Sequence, residues 1–310
     1  MIQDNIRQVV IWGHKLYGNT YAYIQDGFFK GFQHLGYKTL WFDDNDDVSS
    51  VDFSKTLFVT EGRVDNKIPI LSDCFYILHN PNMSNYSTIP KNNIVIMQTY
   101  TRDTVNVHHA KLLHKNSASY CKDNVIYMAF PTNLLPHQID TTIGKIKHNN
   151  IATKNEVVFA GSYDSYWNEI VSFCNNKGIP FRHFYNIPVD QNVTLVQESL
   201  IAPTVLSTWQ HENDYVPCRI FKNISYGKMG VTHSQFIYEL FDKKIIYDSN
   251  KTIMMEKALE FEGLPIDEKN KRVIELMKCV RDNHTYLNRI DDIFFYFNTL
   301  HSTSLVYQYF

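Results

Sequence analysis

Glu156-Val-Val-Phe-Ala-Gly161-Ser162 reads as a short buried strand that runs straight into a Gly-Ser turn. A helical stretch follows, then Thr204-Val-Leu-Ser207, a second apolar strand pattern. Next comes Tyr215-Val-Pro-Cys-Arg219-Ile-Phe-Lys222-Asn-Ile-Ser-Tyr-Gly227, an amphipathic helix opened by Pro and Arg and closed by Gly. Gly230-Val-Thr232 supplies the strand after it. A strand-to-Gly turn lets backbone N–H groups approach an anion. An Arg at a helix start adds a fixed cation that can span two phosphate oxygens. Together these pieces imply a diphosphate cradle in the second half of a two-domain α/β protein.

Working outward, the first half repeats the strand-and-connector rhythm. Gln8–Trp12 is an apolar run ending at Gly13, and Thr20–Leu35 has apolar residues at helical spacing with Gly36 behind it. Lys38–Phe42, Thr56–Thr60, Cys74–Leu78, Asn93–Met97 and Asn124–Met128 read as further strands. The alternation implies a parallel, doubly wound sheet. Residues 131–155 are polar, with Pro131, Pro136 and a His/Lys stretch, and read as a linker. Domain one is therefore placed at 1–130 and domain two at 156–310. Domain two has strands at Glu156–Ala160, Pro180–Tyr185, Thr204–Ser207, Gly230–Thr232 and Lys244–Tyr247, with helices near 166–176, 190–200 and 217–227. Asp267–Leu300 reads as helical throughout.

This order of pieces resembles the GT-B glycosyltransferases over nearly the whole chain, in arrangement more than in identity. Asn283-His-Thr-Tyr286-Leu-Asn-Arg289 is similar to the segment before the last helix of many such enzymes, and Met128-Ala-Phe-Pro131 to their interdomain crossover. The phage DNA β-glucosyltransferases share the sequence Gly-Ser, Asn-Asp, then Arg at a helix start. The resemblance implies two Rossmann-like domains facing a cleft, with the C-terminal helix crossing back to domain one. It implies transfer of a hexosyl or deoxyhexosyl group from a UDP- or GDP-sugar to a glycan, glycoconjugate or other hydroxyl acceptor. Domain one would bind the acceptor and domain two the donor, the nucleotide sugar being a substrate with no further cofactor required.

Gly161, Ser162, Tyr163, Tyr215, Arg219 and Lys222 are the candidate donor contacts. Arg219 has a plainer reading as a surface residue paired with Glu212 or Asp214. The family commonly places a Glu three residues after this Arg, on the nucleotide ribose; here that position is Lys222. A base for the acceptor hydroxyl should project from a strand end of domain one. His14, Glu61, His79 and Asp103 are the candidates. Alignment with the phage enzymes puts His79-Asn80 near their catalytic Asp, whereas His14 sits where the family's acceptor loop lies. With 13 histidines in the chain, a structural role is the ordinary one for any single imidazole.

Composition narrows the rest. Lys+Arg 30 against Asp+Glu 32 leaves no basic field suited to duplex DNA, so no duplex nucleic-acid partner is expected. The five cysteines include no Cys-x-x-Cys pair, which points to reduced thiols and a cytoplasmic protein. No signal peptide and no apolar run of membrane-spanning length are read. Asp43–Asp47 is an acidic run that reads as a solvated loop, and no metal is assigned. The rival readings are a two-domain sugar- or nucleotide-binding protein without transferase activity, and a sugar-nucleotide epimerase. Release of free nucleoside diphosphate on transfer separates them.

Overall fold

The computed structural model describes residues 1–15, 20–99, 101, 111–112, 119–148 and 151–307. The chain forms two compact units. The first draws on residues before Leu134 and after Thr285; the second holds Leu134–Thr285 together with Thr101.

The first unit is built on one sheet. Its strands are β1 (Gln8–Trp12), β2 (Thr39–Phe42), β3 (Thr56–Glu61), β4 (Phe75–His79), β5 (Ile94–Thr99), β6 (Lys111–Leu112), β7 (Ser119–Lys122) and β8 (Val125–Met128). They lie in the order β2-β1-β3-β4-β5-β8-β7-β6. β2 through β8 in that order pair in parallel, and β1, β3 and β4 are buried along their whole length, as continuous apolar runs require. The sheet departs from the all-parallel expectation at one edge, where β6, β7 and β8 are antiparallel. The cause is local. Asp123 and Asn124 adopt φ of 50° and 68°, so a two-residue turn folds β7 back on β8 with Lys122 opposite Val125.

Helix α1 (Thr20–His34) packs on this sheet and against α10 (Tyr286–Tyr307). A Cβ on Gly27 would stand 2.1 Å from the Tyr286 ring, and one on Gly31 2.8 Å from Ile290. Two glycines one helical turn apart thus let the last helix come close. Arg289 on that helix is fully buried, and its Nε donates to the Ala129 carbonyl at 2.9 Å. The two segments that resemble GT-B enzymes outside the cradle therefore meet in the first unit.

The second unit carries α2 (Pro136–Lys147), β9 (Val157–Ala160), α3 (Asn168–Lys177), β10 (Phe181–Phe184), α4 (Val189–Glu198), α5 (Thr208–Glu212), α6 (Cys218–Ser225), β11 (Val231–Thr232), α7 (Gln235–Leu240), β12 (Ile246–Tyr247), α8 (Lys251–Glu262) and α9 (Ile266–Asn283). The 131–155 segment read as linker thus contains a helix. Pro136 starts α2, and Ile139, Thr142, Ile143 and Ile146 bury one face of it. Thr204–Ser207 is not a full strand. Its neighbourhood joins the sheet by two parallel bridges, Val157 to Ile201 and Thr204 to Thr232. These bridges give the order β10, β9, residues 201–204, β11, β12. The 267–300 stretch is two helices, broken where His284 turns to φ −134°. α8 was not foreseen; Asn250 caps it by accepting from Thr252 N and Ile253 N at 2.9 and 3.1 Å.

Candidate functional site

Two clusters of candidate side chains lie at the carboxyl ends of parallel strands, one in each unit. Open α/β sheets gather ligands at this edge, where the strand order reverses. In the second unit the reversal falls between β9 and residues 201–204.

β9 is followed by Gly161, whose φ is +148°. A Cβ there would meet Arg219 Nη2 at 2.6 Å and the Phe159 ring at 3.1 Å, so only glycine leaves room for the guanidinium. The Gly161 amide is not available to a ligand, since it donates to the Phe184 carbonyl at 2.9 Å. The next amides, of Ser162 and Tyr163, have no acceptor among the described residues, and both residues are exposed. Of the three candidates at this turn, Ser162 and Tyr163 thus keep open amides and Gly161 does not.

Arg219 is the second residue of α6, after Pro217. Its guanidinium lies over the Phe159 ring, 4.5 Å from the centroid. Among the described residues it has no ion pair, so the surface pairing with Glu212 or Asp214 does not form. It is half-buried at the positive end of a helix, an unfavourable place for a lone cation. Desolvation lowers its pKa from the usual arginine range and also lowers that of Lys222, one turn along the same face, which Arg219 lowers further.

His183, on β10, was not singled out in the sequence. Its Nε2 sits 2.6 Å from the Gly161 carbonyl, and its ring stacks on Phe159. Tyr163 packs its ring against His183 and donates to Asn168 Oδ1 at 3.2 Å, and Tyr215 lies beside exposed Trp209. His233 follows β11, is buried, and stacks on His211 at 4.8 Å. Its Nδ1 has no hydrogen-bond partner among the described residues. Burial first, then the nearby His211 and Lys251 charges, push its pKa down to about 3, so the ring is neutral.

In the first unit β1, β3 and β4 end side by side, which joins three of the candidates. His14 Nε2 is 3.4 Å from Glu61 Oε2, and both side chains are buried. Glu61 also accepts from the Arg63 amide at 3.2 Å. The Tyr21 ring lies between His14 and His79, with centroids 5.2 and 5.5 Å away. Desolvation lowers the His79 pKa, against an opposing pull from Glu61. His14 and Asn80 hold positive φ of 56° and 49° at the strand ends, which turns the chain sharply there. Asp103 lies outside the described residues. The acidic run is structural: Asp44 Oδ1 accepts from Trp12 Nε1 at 2.7 Å, and Asp46 Oδ2 from the Asp43 amide at 2.8 Å. Among the described residues no group of three His, Cys, Asp or Glu could hold a metal ion, and no helix is long and apolar enough to cross a membrane.

No protein-family model matches the sequence, and no curated protein is similar to it in sequence. The backbone, by contrast, is similar to solved structures across its length. An alpha-glucosyltransferase in complex with UDP superposes with a TM-score of 0.56 at 10% identity, covering 93% of this chain and 99% of that one. The chain has the GT-B fold. An alpha-glucosyltransferase in complex with UDP-glucose and DNA containing an abasic site gives 0.57 at 9% identity, over 93% and 99% of the two chains. AviGT4, a glycosyltransferase involved in Avilamycin A biosynthesis, gives 0.54 at 9% identity, over 95% and 98%. The GT-B fold agrees with the α/β architecture expected from sequence, and the last helix rejoins the first unit as that fold implies.

Proposed function

We propose that the protein is a glycosyltransferase that moves a hexosyl or deoxyhexosyl group from a UDP- or GDP-sugar to a hydroxyl of a glycan or glycoconjugate. Arg219 carries this reading: a cation without an ion pair, held over Phe159 at a helix start, beside the open amides of Ser162 and Tyr163. A diphosphate supplies the charge that this place lacks. The second unit would hold the donor, with Tyr163, Tyr215 and Lys222 around the phosphates and nucleoside, and the first unit the acceptor.

In the transfer, the acceptor oxygen bonds to the anomeric carbon while the carbon–oxygen bond to the diphosphate breaks. The diphosphate departs with an additional negative charge, which Arg219 and Lys222 would stabilise without a metal. The acceptor proton would pass to an imidazole of the strand-end cluster. His14 is the better placed, because the Glu61 carboxylate beside it favours the imidazolium that forms. His79 then completes the cluster from the β4 side, across the Tyr21 ring. The near balance of acidic and basic residues favours a carbohydrate acceptor over duplex DNA.

A thermal-shift panel of UDP, GDP, TDP and CMP tests the donor reading directly. A ligand at 100 times its dissociation constant adds about 2.7 kcal/mol to stability. A stabilising diphosphate followed by its release from the matching sugar donor is the expected result. No stabilisation by any of the four would remove the reading.

A further inference from the structure

A second place in the second unit carries an unbalanced charge, at the opposite edge of its sheet. Lys228 and Thr153 lie just before β11 and β9, at the amino ends of those strands. With Gln197, Glu262, Lys269 and Asn270 they line a cavity of about 110 Å³. Lys228 is 8% exposed. Its ammonium donates to the Ser199 carbonyl, just past the C-terminal end of α4. That contact suits a cation at a helix end, but it uses only one of three N–H donors.

No carboxylate lies within ion-pairing distance of Lys228 among the described residues. The one acidic group on the cavity, Glu262, is already held by Lys269, whose Nζ is 3.1 Å from Glu262 Oε2 and donates to the Glu262 carbonyl at 2.9 Å. A buried ammonium with one hydrogen bond and no ion pair, balanced only by the field of Glu262 that Lys269 opposes, is costly, and proteins almost always pair such a group or neutralise it. The cavity therefore has two cations, one carboxylate and a net positive charge. Its volume is well above the ~10–15 Å³ that a single water needs, which leaves room for a phosphate-sized ion or a short acid.

We propose that this cavity binds a small oxyanion, a phosphate or short carboxylate, as the counter-charge to Lys228, with the Thr153 hydroxyl and Lys269 at its margin. The site is separate from the Gly161–Arg219 cradle and does not depend on the donor reading. Burial, with Lys269 adding to it and Glu262 opposing it, pushes the Lys228 pKa down to about 8, so an anion would bind together with the fully protonated ammonium.

The test is calorimetric titration of the full chain with sodium phosphate and, separately, sodium butyrate, against sodium chloride at matched ionic strength. Saturable binding of either salt is expected, and the arm that saturates names the head group. In 13C-lysine-labelled protein the Lys228 Cε resonance, assigned by its loss in Lys228→Met, should shift with the same midpoint. Lys228→Met should weaken binding about ten- to hundredfold, the range for a lost hydrogen bond to a charged group. Because methionine keeps the stem, this variant should fold; Thr153→Val is the milder second variant and should weaken binding several-fold. No saturable binding of either salt, or unchanged binding in Lys228→Met or in Thr153→Val, would overturn the proposal.

Discussion

The guanidinium of Arg219 rests 4.5 Å from the centre of the Phe159 ring, across the place that a side chain at position 161 would fill. Phe159 belongs to β9 and Arg219 to α6, so this one contact fixes a strand end to a helix start some sixty residues away. Arg219→Ala should weaken binding of the preferred nucleoside diphosphate by about 10- to 100-fold, equivalent to roughly 1.5–3 kcal/mol. Arg219→Lys should recover only part, since a point charge cannot span two phosphate oxygens. Arg272→Ala is the control. That exposed residue lies 5.0 Å from the Phe261 ring centre, and its loss should cost about 0.5 kcal/mol of stability and no affinity. Calorimetric titration beside melting curves reads both effects, and unchanged affinity in folded Arg219→Ala would refute the cradle.

Gly161→Ala probes the same contact from the other side. The new methyl group must displace the guanidinium and press on Phe159, in a backbone conformation that alanine rarely adopts. Stability should fall by about 1 kcal/mol or more. Nucleotide affinity should fall with it, and the double variant with Arg219→Ala should bind no worse than Arg219→Ala alone. Additive losses in that double-mutant cycle would show that the two positions act separately.

The pair His14 and Glu61 should separate catalysis from donor binding. Glu61→Gln keeps the shape and removes the charge beside the imidazole. Turnover should drop about 10²-fold, within the range for a disabled general base, while nucleotide affinity stays level. Equal losses in both quantities would mean that the variant has disturbed the fold instead.

His233 gives a signed pH dependence. Its pKa in the folded protein is about 3, below the value of about 6.5 for an unfolded histidine. The unfolded chain therefore binds the extra proton between those limits. Its contribution is constant above the unfolded value and is lost as pH falls below it, at up to about 1.4 kcal/mol per pH unit. Urea melts at pH 7, 6 and 5 should show wild type losing this advantage over His233→Gln. A gap between the two proteins that does not narrow on acidification would contradict the neutral, buried state.

Turnover should survive EDTA, because the leaving diphosphate is met by Arg219 and Lys222. Loss of turnover restored by manganese would assign that task to a metal.

Much of this was legible in the chain because buried parallel strands are short apolar runs, and Gln8–Trp12 and Val157–Ala160 are unambiguous ones. Strand ends could be named as sites from the same pattern. Which ends meet was not legible: His14 and Glu61 come together because β3, not β2, follows β1 toward the sheet centre. His183 was hidden because its role is a bond to a carbonyl on a neighbouring strand, which leaves no local mark. The antiparallel edge did leave one. Asp123-Asn124 is a hairpin signal that the surrounding parallel pattern overshadowed. The helix over Pro136–Lys147 was masked by its polar outer face and by prolines that begin a helix as readily as they end one.

The return of the last helix to the first unit has a consequence for how the protein is made. All of Leu134–Thr285 emerges from the ribosome as one uninterrupted stretch and can begin to fold as soon as it clears the exit. The first unit is begun earlier but cannot be completed until Tyr286 and Ile290 arrive to fill the notches at Gly27 and Gly31. The half of the chain that is translated first is therefore the half that finishes last.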